Sequence, residues 1–328
     1  MCGEPAVQVR GLTKNFGDIQ AVRGIDLDVA EREMFGFLGP NGAGKTTTIN
    51  ILCTLADATA GSAWVAGHDV ATDRAAVRSR IGLVFQEPTL DSYLTAEQNL
   101  RFHGELYGVP RGLLRRRMDE VLDLVGLADR RKGLVRTFSG GMRRRLEIAR
   151  GLLHAPAVLF LDEPTIGLDP QTRAAIWEHI AALRRTEDIT VFVTTHYMEE
   201  AEHCDRIAII DNGRIVVTDT PEALKARIGA DRIQIRTDDD PAAIVQLRER
   251  LGVEAAMHEG MVTFAVPGGA EFVPRLFAEL QVGIGTVTVT RPSLDDVFMA
   301  YTGRTIRDAE QGPGGAAMHP FRLMAGRR

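Results

Sequence analysis

One glycine-rich segment constrains this chain more than any other: Gly39-Pro40-Asn41-Gly42-Ala43-Gly44-Lys45-Thr46. It matches the phosphate-loop pattern G-x-x-x-x-G-K-[ST] at every fixed position. The apolar run 34–38 before it is typical of a buried strand, and the residues from Thr46 and Thr47 onward can begin a helix. Such a loop points backbone N–H groups at an anion, and the helix dipole adds positive charge there. The segment predicts a nucleotide site, in which Lys45 reaches the phosphates and Thr46 ligates Mg²⁺, the alternative being an ordinary glycine-rich turn.

Length and composition bound the class of protein. The 328 residues suffice for one large or two smaller domains, and 45 % hydrophobic with 25 % charged residues is typical of a soluble globular protein. No apolar stretch reaches the roughly 18–20 residues of a membrane-spanning helix, and the N-terminus does not resemble a signal peptide. Cys2, Cys53 and Cys204 have no metal-ligand spacing and are expected to be reduced thiols in the cytosol. A net charge of −5 argues against nucleic acid as the main partner.

The hydrophobic pattern predicts an α/β fold. Residues 7–10 and 25–29 alternate between apolar and polar, which predicts half-exposed antiparallel strands with Phe16 in the turn between them. Asn212-Gly213 between two apolar runs predicts a hairpin over 207–217. Further strands are predicted at 61–65, 81–85, 158–161 and 191–195.

The stretch from about 95 to 153 is predicted to be largely helical, and Thr95 with Gln98 forms a capping-box pattern. Two arginine runs, 115–117 and 143–145, lie in this stretch. We interpret them as solvated helix faces or an edge for protein contacts, because no aromatic residues are interleaved to stack on nucleic acid bases. One helical face is predicted to be buried, formed by Leu114, Met118, Val121, Leu122 and Val125.

The sequence changes character near residue 222. From there the predicted order is β-α-β-β-α-β, which indicates a small α+β domain of the split-βαβ type at 222–304. It holds no catalytic grouping, so we interpret it as an interaction or regulatory module. Residues 305–328 are rich in Gly and Arg without periodicity and are predicted to be disordered. The first domain is therefore predicted at 1–221, with a helical part at about 87–153.

Polar residues at the ends of two predicted strands carry the chemistry. Asp162 can hold Mg²⁺ opposite Thr46, and Glu163 can orient or deprotonate an attacking water; an exposed acidic pair is the alternative. His196 follows the run 191–195, at the edge where open α/β sheets bind ligands, although a lone histidine there is more often structural. These residues predict a second part of the nucleotide site.

Ser139, Gly140 and Gly141 stand at the start of a predicted helix and form a second anion cradle, the alternative being a plain helix cap. One chain with one complete phosphate loop and a separate cradle favours an intersubunit arrangement. Each nucleotide would then lie between the phosphate loop of one copy and the cradle of the other.

Seven features in this order resemble the nucleotide-binding subunit of an ABC transporter over roughly residues 6–220. They are Phe16, 39–46, Gln86, 139–141, 158–163, Asp169 and His196. The resemblance implies a P-loop NTPase fold of ABC type, with a RecA-like core, an antiparallel β subdomain and a helical subdomain. It also implies ATP and Mg²⁺ as cofactors, and no nucleic acid partner.

The resemblance further implies a role for each residue outside the phosphate loop. Phe16 would stack on adenine, where the family usually has tyrosine. Gln86 would sense Mg²⁺ and the attacking water, Glu163 would be the catalytic carboxylate, and His196 would contact the γ-phosphate. Asp169 would sit at the interface of a homodimer that forms on ATP binding.

Residues 138–142 correspond to the signature segment of this family. Phe138 and Met142 stand where the family usually has leucine and glutamine, but the Ser-Gly-Gly centre is intact. An aromatic residue, Ser-Gly-Gly-Met and an arginine run are similar to the daunorubicin-resistance subfamily of drug-export ATPases, as is the stretch 292–304. The resemblance implies an exporter subunit, peripheral on the cytosolic face of the membrane, with residues 87–138 docking a separate membrane permease. Export of lipid or polysaccharide, and a non-transport ABC ATPase, are the alternatives.

Overall fold

A computed structural model describes residues 4–258, 260–304 and 306 of the chain. The chain divides into two compact units, one running up to Thr218 and the other from Asp219 to residue 304. The segment predicted to be disordered, 305–328, lies outside the described residues except for Ile306. Within the described ranges, no helix is long and apolar enough to cross a bilayer.

The first unit combines two sheets with helices. Its strands are β1 (Val7–Phe16), β2 (Ile19–Val29), β3 (Met34–Leu38), β4 (Ala60–Val65), β5 (His68–Asp69), β6 (Ile81–Val84), β7 (Val158–Asp162), β8 (Thr190–Thr195), β9 (Arg206–Asp211) and β10 (Arg214–Asp219). Its helices are α1 (Lys45–Leu52), α2 (Arg74–Arg80), α3 (Ala96–Leu106), α4 (Arg111–Leu124), α5 (Gly140–Leu152), α6 (Pro170–Thr186) and α7 (Met198–Ala201).

A six-stranded sheet in the order β10-β9-β3-β8-β7-β6 positions the site. The pairs β3–β8, β3–β9, β7–β8 and β6–β7 are parallel. Strands β3, β7 and β8 are buried at every residue, which explains why they are almost continuously apolar. Because these strands are parallel, the residues that follow β3, β6, β7 and β8 lie at one edge of the sheet. The strands predicted at 34–38, 81–85, 158–161 and 191–195 are confirmed.

The antiparallel sheet has the order β2-β1-β4-β5. Val7 and Val9 are buried, as are Leu27 and Val29 opposite them, so the alternating pattern is confirmed. Phe16 is not in the turn: it is the last residue of β1 and pairs with Ile19. The strand extends this far because Gly17, at φ 58, makes a two-residue turn sufficient.

Helices α3, α4 and α5 form the helical part of the first unit. Thr95 and Gln98 make the predicted capping box at the start of α3. The predicted buried face is confirmed, because Leu114, Met118, Val121, Leu122 and Val125 are each at most 4 % exposed. The interpretation of the arginine runs as solvated faces is wrong at Arg144, which is only 6 % exposed.

An aromatic cluster joins α3 to the end of α5. The ring of Tyr107 stacks on His154 with centroids 4.1 Å apart, and His103 lies 4.6 Å from Tyr107. Burial, together with the positive charges of Arg150 and His154, lowers the pKa of His103 from an ordinary 6.5 to about 3. The folded protein therefore holds His103 neutral at pH values where the unfolded chain protonates it.

Acidification from pH 6.5 towards 3 is expected to destabilise the first unit through His103. Between pH 6.5 and 4.5 the unfolded state binds the extra proton, so stability rises with pH across this window. Because the ring is partly exposed, we expect the free energy of unfolding to fall by about 1–2 kcal/mol at pH 4.5. This is less than the full energy equivalent of the pKa shift. His103→Phe keeps the ring contact without titrating and should flatten the dependence.

Urea unfolding followed by tryptophan fluorescence checks this, because both tryptophans, Trp64 and Trp177, lie in the first unit. His258→Phe, at an exposed position of the second unit, is the control. If the free energy of unfolding depends on pH equally in His103→Phe and in the unmodified protein, His103 is not the source of the dependence.

The second unit has the predicted order β-α-β-β-α-β between two further helices. Its elements are α8 (Pro221–Ile228), β11 (Asp231–Thr237), α9 (Asp240–Leu251), β12 (Ala255–His258), β13 (Met261–Val266), α10 (Gly269–Glu279), β14 (Ile284–Thr290) and α11 (Leu294–Thr302). The sheet has the order β12-β13-β11-β14 with every pair antiparallel. This is split-βαβ topology, since β13 lies between β11 and β12. Helix α11, which packs against α8, was not predicted.

Candidate active site

The phosphate loop connects β3 to α1 and is shaped by close packing. Gly42 and Gly44 have φ values of 80 and 106, which glycine adopts without strain. A Cβ atom at Gly39 would lie 2.2 Å from the Ile210 carbonyl oxygen, and one at Gly44 would lie 2.6 Å from that of Ala21. No side chain caps α1, so its first N–H groups are available to an anion.

Other loop residues differ in exposure. Pro40 and Ala43 are buried, whereas Asn41 and Thr46 are exposed and Thr47 is half-buried. The exposed hydroxyl of Thr46 is therefore accessible to a ligand above the loop.

Lys45 is buried and connects the loop to β7. Its ammonium donates to the carbonyl oxygens of Gly39 at 2.7 Å and Pro40 at 3.1 Å. The same Nζ lies 3.1 Å from Glu163 Oε1. An ammonium has three donors, so these three contacts use all of them. A phosphate entering the loop would compete with the Glu163 carboxylate for this cation.

Asp162 and Glu163 end the buried strand β7 and are each only 4 % exposed, so the pair is not a solvent-exposed one. Asp162 Oδ1 accepts hydrogen bonds from Thr194 Oγ1 at 2.5 Å and from Thr46 Oγ1 at 3.3 Å. Burial raises the pKa of Asp162, and these hydroxyl groups oppose the effect.

Glu163 has a left-handed backbone, with φ at 46, which costs a non-glycine residue about 1–3 kcal/mol. Its N–H donates to the carbonyl oxygen of Thr194 at 3.1 Å. Burial alone raises the pKa of the Glu163 carboxyl, but His196 and Lys45 outweigh it, and the net pKa lies below its ordinary value. The carboxylate is therefore ionised at neutral pH.

Gln86 and His196 converge on the same carboxylate oxygen from neighbouring strand ends. Gln86 follows β6, and its Nε2 donates to Glu163 Oε2 at 3.3 Å. His196 follows β8, and its Nδ1 also lies 3.3 Å from that oxygen, although without hydrogen-bond geometry. The tertiary structure thus brings together Lys45, Gln86 and His196 around Glu163.

The serine-glycine cradle is at the N-terminus of α5. Ser139 caps this helix, its Oγ accepting from the Met142 N–H at 3.2 Å. A Cβ atom at Gly141 would lie 2.3 Å from the Thr172 methyl group on α6. Gly141 is therefore required for α5 and α6 to approach, whether or not the cradle holds an anion.

Three predicted residues remain outside the cluster. Among the described residues, no hydrogen bond or ion pair joins Ser139, Asp169 or Phe16 to the Glu163 side chain. Asp169 caps α6, accepting from the N–H of Thr172 at 3.0 Å, and Phe16 is 47 % exposed with the Lys14 Nζ 5.0 Å from its ring. Their predicted roles need a nucleotide or a second copy.

Sequence reasoning missed several residues that support the site. Thr194 lies in the run 191–195, which the sequence predicts as a strand, yet its hydroxyl donates to Asp162 Oδ1. Glu200 accepts from Thr165 and from Thr195, at 2.6 Å for the latter, and so holds the ends of β7 and β8 together. Arg144 lies in an arginine run, and its ion pair with Glu147 at i,i+3 does not distinguish it in sequence from Arg143, which stands at i,i+4 to the same residue.

A phosphate loop beside a buried strand-end carboxylate defines the class of P-loop nucleotide-binding proteins. Residues 22–166 match the family model described as ABC transporter, and residues 220–302 match that of the ATP-binding protein DrrA1-3-like, C-terminal domain. The daunorubicin resistance ATP-binding protein DrrA3 of Streptomyces coeruleorubidus is 41% identical over 93% of this chain and 99% of that protein. The linearmycin resistance ATP-binding protein LnrL of Bacillus subtilis is 38% identical over 92% of this chain and 100% of that protein.

A dimeric bacterial ABC transporter cassette of known structure is 27% identical and has a TM-score of 0.59, over 65% of this chain and 98% of that one. The chain belongs to the ABC transporter family of ATP-binding proteins, whose members bind and hydrolyse ATP. The predicted fold class and the similarity to the daunorubicin-resistance subfamily are confirmed.

Proposed function

We propose that this chain is the ATP-hydrolysing subunit of an exporter that moves a drug or another hydrophobic compound through a separate integral membrane permease. The observation that carries the proposal is the convergence of Lys45, Gln86 and His196 on Glu163. An ionised, buried carboxylate at the end of β7 is suited to orient and deprotonate a water beside the terminal phosphate.

In this mechanism the chain binds both the adenine base and the phosphates of ATP. Phe16 stacks on adenine, while backbone N–H groups of residues 41–46 and the ammonium of Lys45 hold the phosphates. Glu163 accepts the proton of the attacking water. His196 contacts the γ-phosphate, and Gln86 holds the water and reports that the site is filled.

The residues opposite the loop fit Mg²⁺. This ion is usually held by one or two protein ligands, with waters and phosphates completing its shell. Thr46 and Asp162 supply a hydroxyl and a carboxylate 3.3 Å apart, and the amide side chain of Gln86 lies against the neighbouring Glu163 carboxylate. No group of three or more His, Cys, Asp and Glu side chains in the described residues offers a metal cage. Thr46 and Asp162 would hold the ion, which would supply positive charge against the negative charge that develops during hydrolysis.

The position of the cradle supports a homodimer that closes on ATP. Ser139 and Asp169 lie at exposed helix N-termini, where they accept hydrogen bonds from Met142 and Thr172 of their own helices. A second copy facing the first would place its cradle against the nucleotide held by the first copy's phosphate loop. The dimeric relative of known structure supports this arrangement.

The helical part offers a dock for the permease on the cytosolic face of the membrane. Within residues 87–138, Tyr93, Phe102 and Leu106 are 78 %, 66 % and 70 % exposed. Exposed apolar residues grouped in one segment are typical of a protein contact. The two resistance relatives support a drug as cargo, but they name different compounds, so a lipid or polysaccharide is the alternative.

Leu106→Asp is expected to weaken the association with the permease roughly tenfold, because a charge replaces an apolar contact residue at the interface. Basal ATPase activity should be unchanged. Leu55→Asp is the comparison variant, since Leu55 is also exposed but follows α1 and lies outside residues 87–138. The measurement is co-purification of the permease with the chain from detergent-solubilised membranes. If both variants co-purify with equal amounts of the permease, Leu106 is not part of the permease-docking surface.

The proposed function itself is tested by two measurements on the full chain. Steady-state ATPase activity separates a hydrolase from a regulator that only binds nucleotide. Co-purification with a permease, followed by efflux from cells expressing both proteins, separates an exporter from a non-transport ABC ATPase. Absence of a membrane partner with full ATPase activity would favour the non-transport alternative.

A further inference from the structure

Arg144 is a buried cation on α5 that the proposed mechanism does not use. Its guanidinium makes five hydrogen bonds, one for each N–H group that arginine carries. Nε donates to the carbonyl oxygen of Pro164, and Nη2 donates to those of Asp162 at 3.1 Å and Glu163 at 3.2 Å. Nη1 donates to the carbonyl oxygen of Phe85 and to Glu147 Oε2, the latter at 3.1 Å.

Four of these acceptors are backbone carbonyl groups, and they lie beside Gln86 and Glu163, the two residues proposed to act on the attacking water. Residues 162–164 present three consecutive carbonyls to one side chain, which a regular strand cannot do because its carbonyls alternate in direction. The left-handed backbone of Glu163 permits this, and Arg144 in turn stabilises that conformation. The fourth carbonyl, that of Phe85, belongs to the peptide that leads into Gln86.

Glu147 completes the arrangement from the same helix. It is 2 % exposed, and its Oε1 accepts from the Thr89 N–H at 2.7 Å. Arg150, one turn further along, donates to the Thr89 carbonyl oxygen at 3.0 Å. Helix α5 therefore holds this loop on both sides of Gln86, at Phe85 and at Thr89.

Burial disfavours a charged guanidinium and lowers the pKa of Arg144, and the Glu147 carboxylate opposes this effect. A buried ion pair is a weak source of stability, because desolvation offsets much of the attraction between the charges. The five hydrogen bonds instead hold the accepting groups in fixed positions, since each N–H of the planar guanidinium points in a fixed direction.

We propose that Arg144 is a positioning residue for ATP hydrolysis: through backbone carbonyl groups it sets where Gln86 and Glu163 stand relative to each other. The proposal rests on the proposed function. Ser139 begins the same helix about 7.5 Å away along its axis, so a cradle that engages the partner's nucleotide moves with Arg144. Docking of the second copy is thereby linked to the geometry of the chain's own hydrolysis site.

Arg144→Lys tests the proposal, because lysine keeps the charge but has three donors and no planar fork. In the full chain we expect kcat to fall about 10–100-fold, since a displacement near 1 Å has this effect on a positioned reaction. The Kd for ATP should stay within twofold, because the phosphate loop and Phe16 are untouched. Arg145→Lys is the control: Arg145 donates to the Val125 carbonyl oxygen at 2.7 Å, away from the site, and kcat should be unchanged.

Glu147→Ala is the second variant and should lower kcat about 3–10-fold with the same unchanged Kd, since misplacing catalytic groups slows the reaction itself. Normal kcat in folded Arg144→Lys and Glu147→Ala would overturn the proposal. A parallel loss of kcat, ATP affinity and melting temperature would also overturn it, by making the role one of stability. Failure of both variants to fold, while Arg145→Lys folds, would overturn it for the same reason.

Dimerisation separates this proposal from the proposed function. With Glu163→Gln as background, adding Arg144→Lys should leave ATP-dependent dimer formation intact, because the cradle and the phosphate loop remain. Loss of the dimer in the double variant alone would overturn the positioning role. An unmodified chain without ATPase activity would instead overturn the proposed function.

Discussion

Glu163→Gln is expected to abolish most ATP hydrolysis while leaving ATP binding intact. A positioned general base contributes about 10²–10⁴ in rate, so kcat should fall by at least about 100-fold. Glutamine has the same shape and keeps an amide oxygen for the Lys45 ammonium, so the site should remain assembled. It cannot take a proton from water at neutral pH.

The same variant should accumulate as an ATP-bound dimer, because closure no longer ends in hydrolysis. Phosphate release, equilibrium ATP binding and light scattering with and without MgATP measure the three quantities. Glu178→Gln, at an exposed position of α6, controls for the loss of a carboxylate. Hydrolysis near the rate of the unmodified protein would remove Glu163 from the role, and a variant that stays monomeric with ATP would contradict the closing dimer.

Lys45→Ala is expected to lose both ATP binding and hydrolysis. The ammonium is the buried cation at the loop, so its loss leaves phosphate charge without its main partner. It also leaves Glu163 paired only with His196, and breaking a buried ion pair destabilises proteins by about 3–5 kcal/mol. We expect the lower part of that range or less, since His196 stays in place.

A double variant separates the two effects of Lys45. Lys45→Ala with Glu163→Gln should recover stability, because no carboxylate is then left without its cation, but ATP binding should stay lost. Thermal unfolding and ATP binding measure the two outcomes, and Lys132→Ala, at an exposed lysine, is the control. Full turnover without Lys45 would reject the phosphate-loop assignment.

The parts of the site that lie close together in sequence could be predicted well. The phosphate loop, the Ser139 cap and the Asp162-Glu163 pair each depend on a few neighbouring residues, whose backbone preferences and polarity are local properties. Parallel strands gave near-continuous apolar runs because both faces of the sheet are covered. The β-α-β-β-α-β order of the second unit was predicted from a different pattern, the alternation of apolar and polar residues in its half-buried antiparallel strands.

Errors arose where packing overrode local pattern. Arg144 looks like its neighbours Arg143 and Arg145 in sequence, and only burial distinguishes it. Helix α11 is short, and the proline before its capping box at Ser293 and Asp296 favours a turn in a local pattern. Phe16 was placed in a turn because the pattern does not indicate that a two-residue turn suffices.

The sequence by itself determined the nucleotide class, the order of the elements and the residue types that carry the chemistry, because these follow from motifs of fixed local spacing. Only the tertiary structure decided which side chains meet. Lys45, Gln86 and His196 approach one carboxylate because they follow neighbouring parallel strands whose ends share an edge of the sheet. The role of Arg144 likewise depends on backbone carbonyl groups from distant segments, and such groups leave no mark in the sequence.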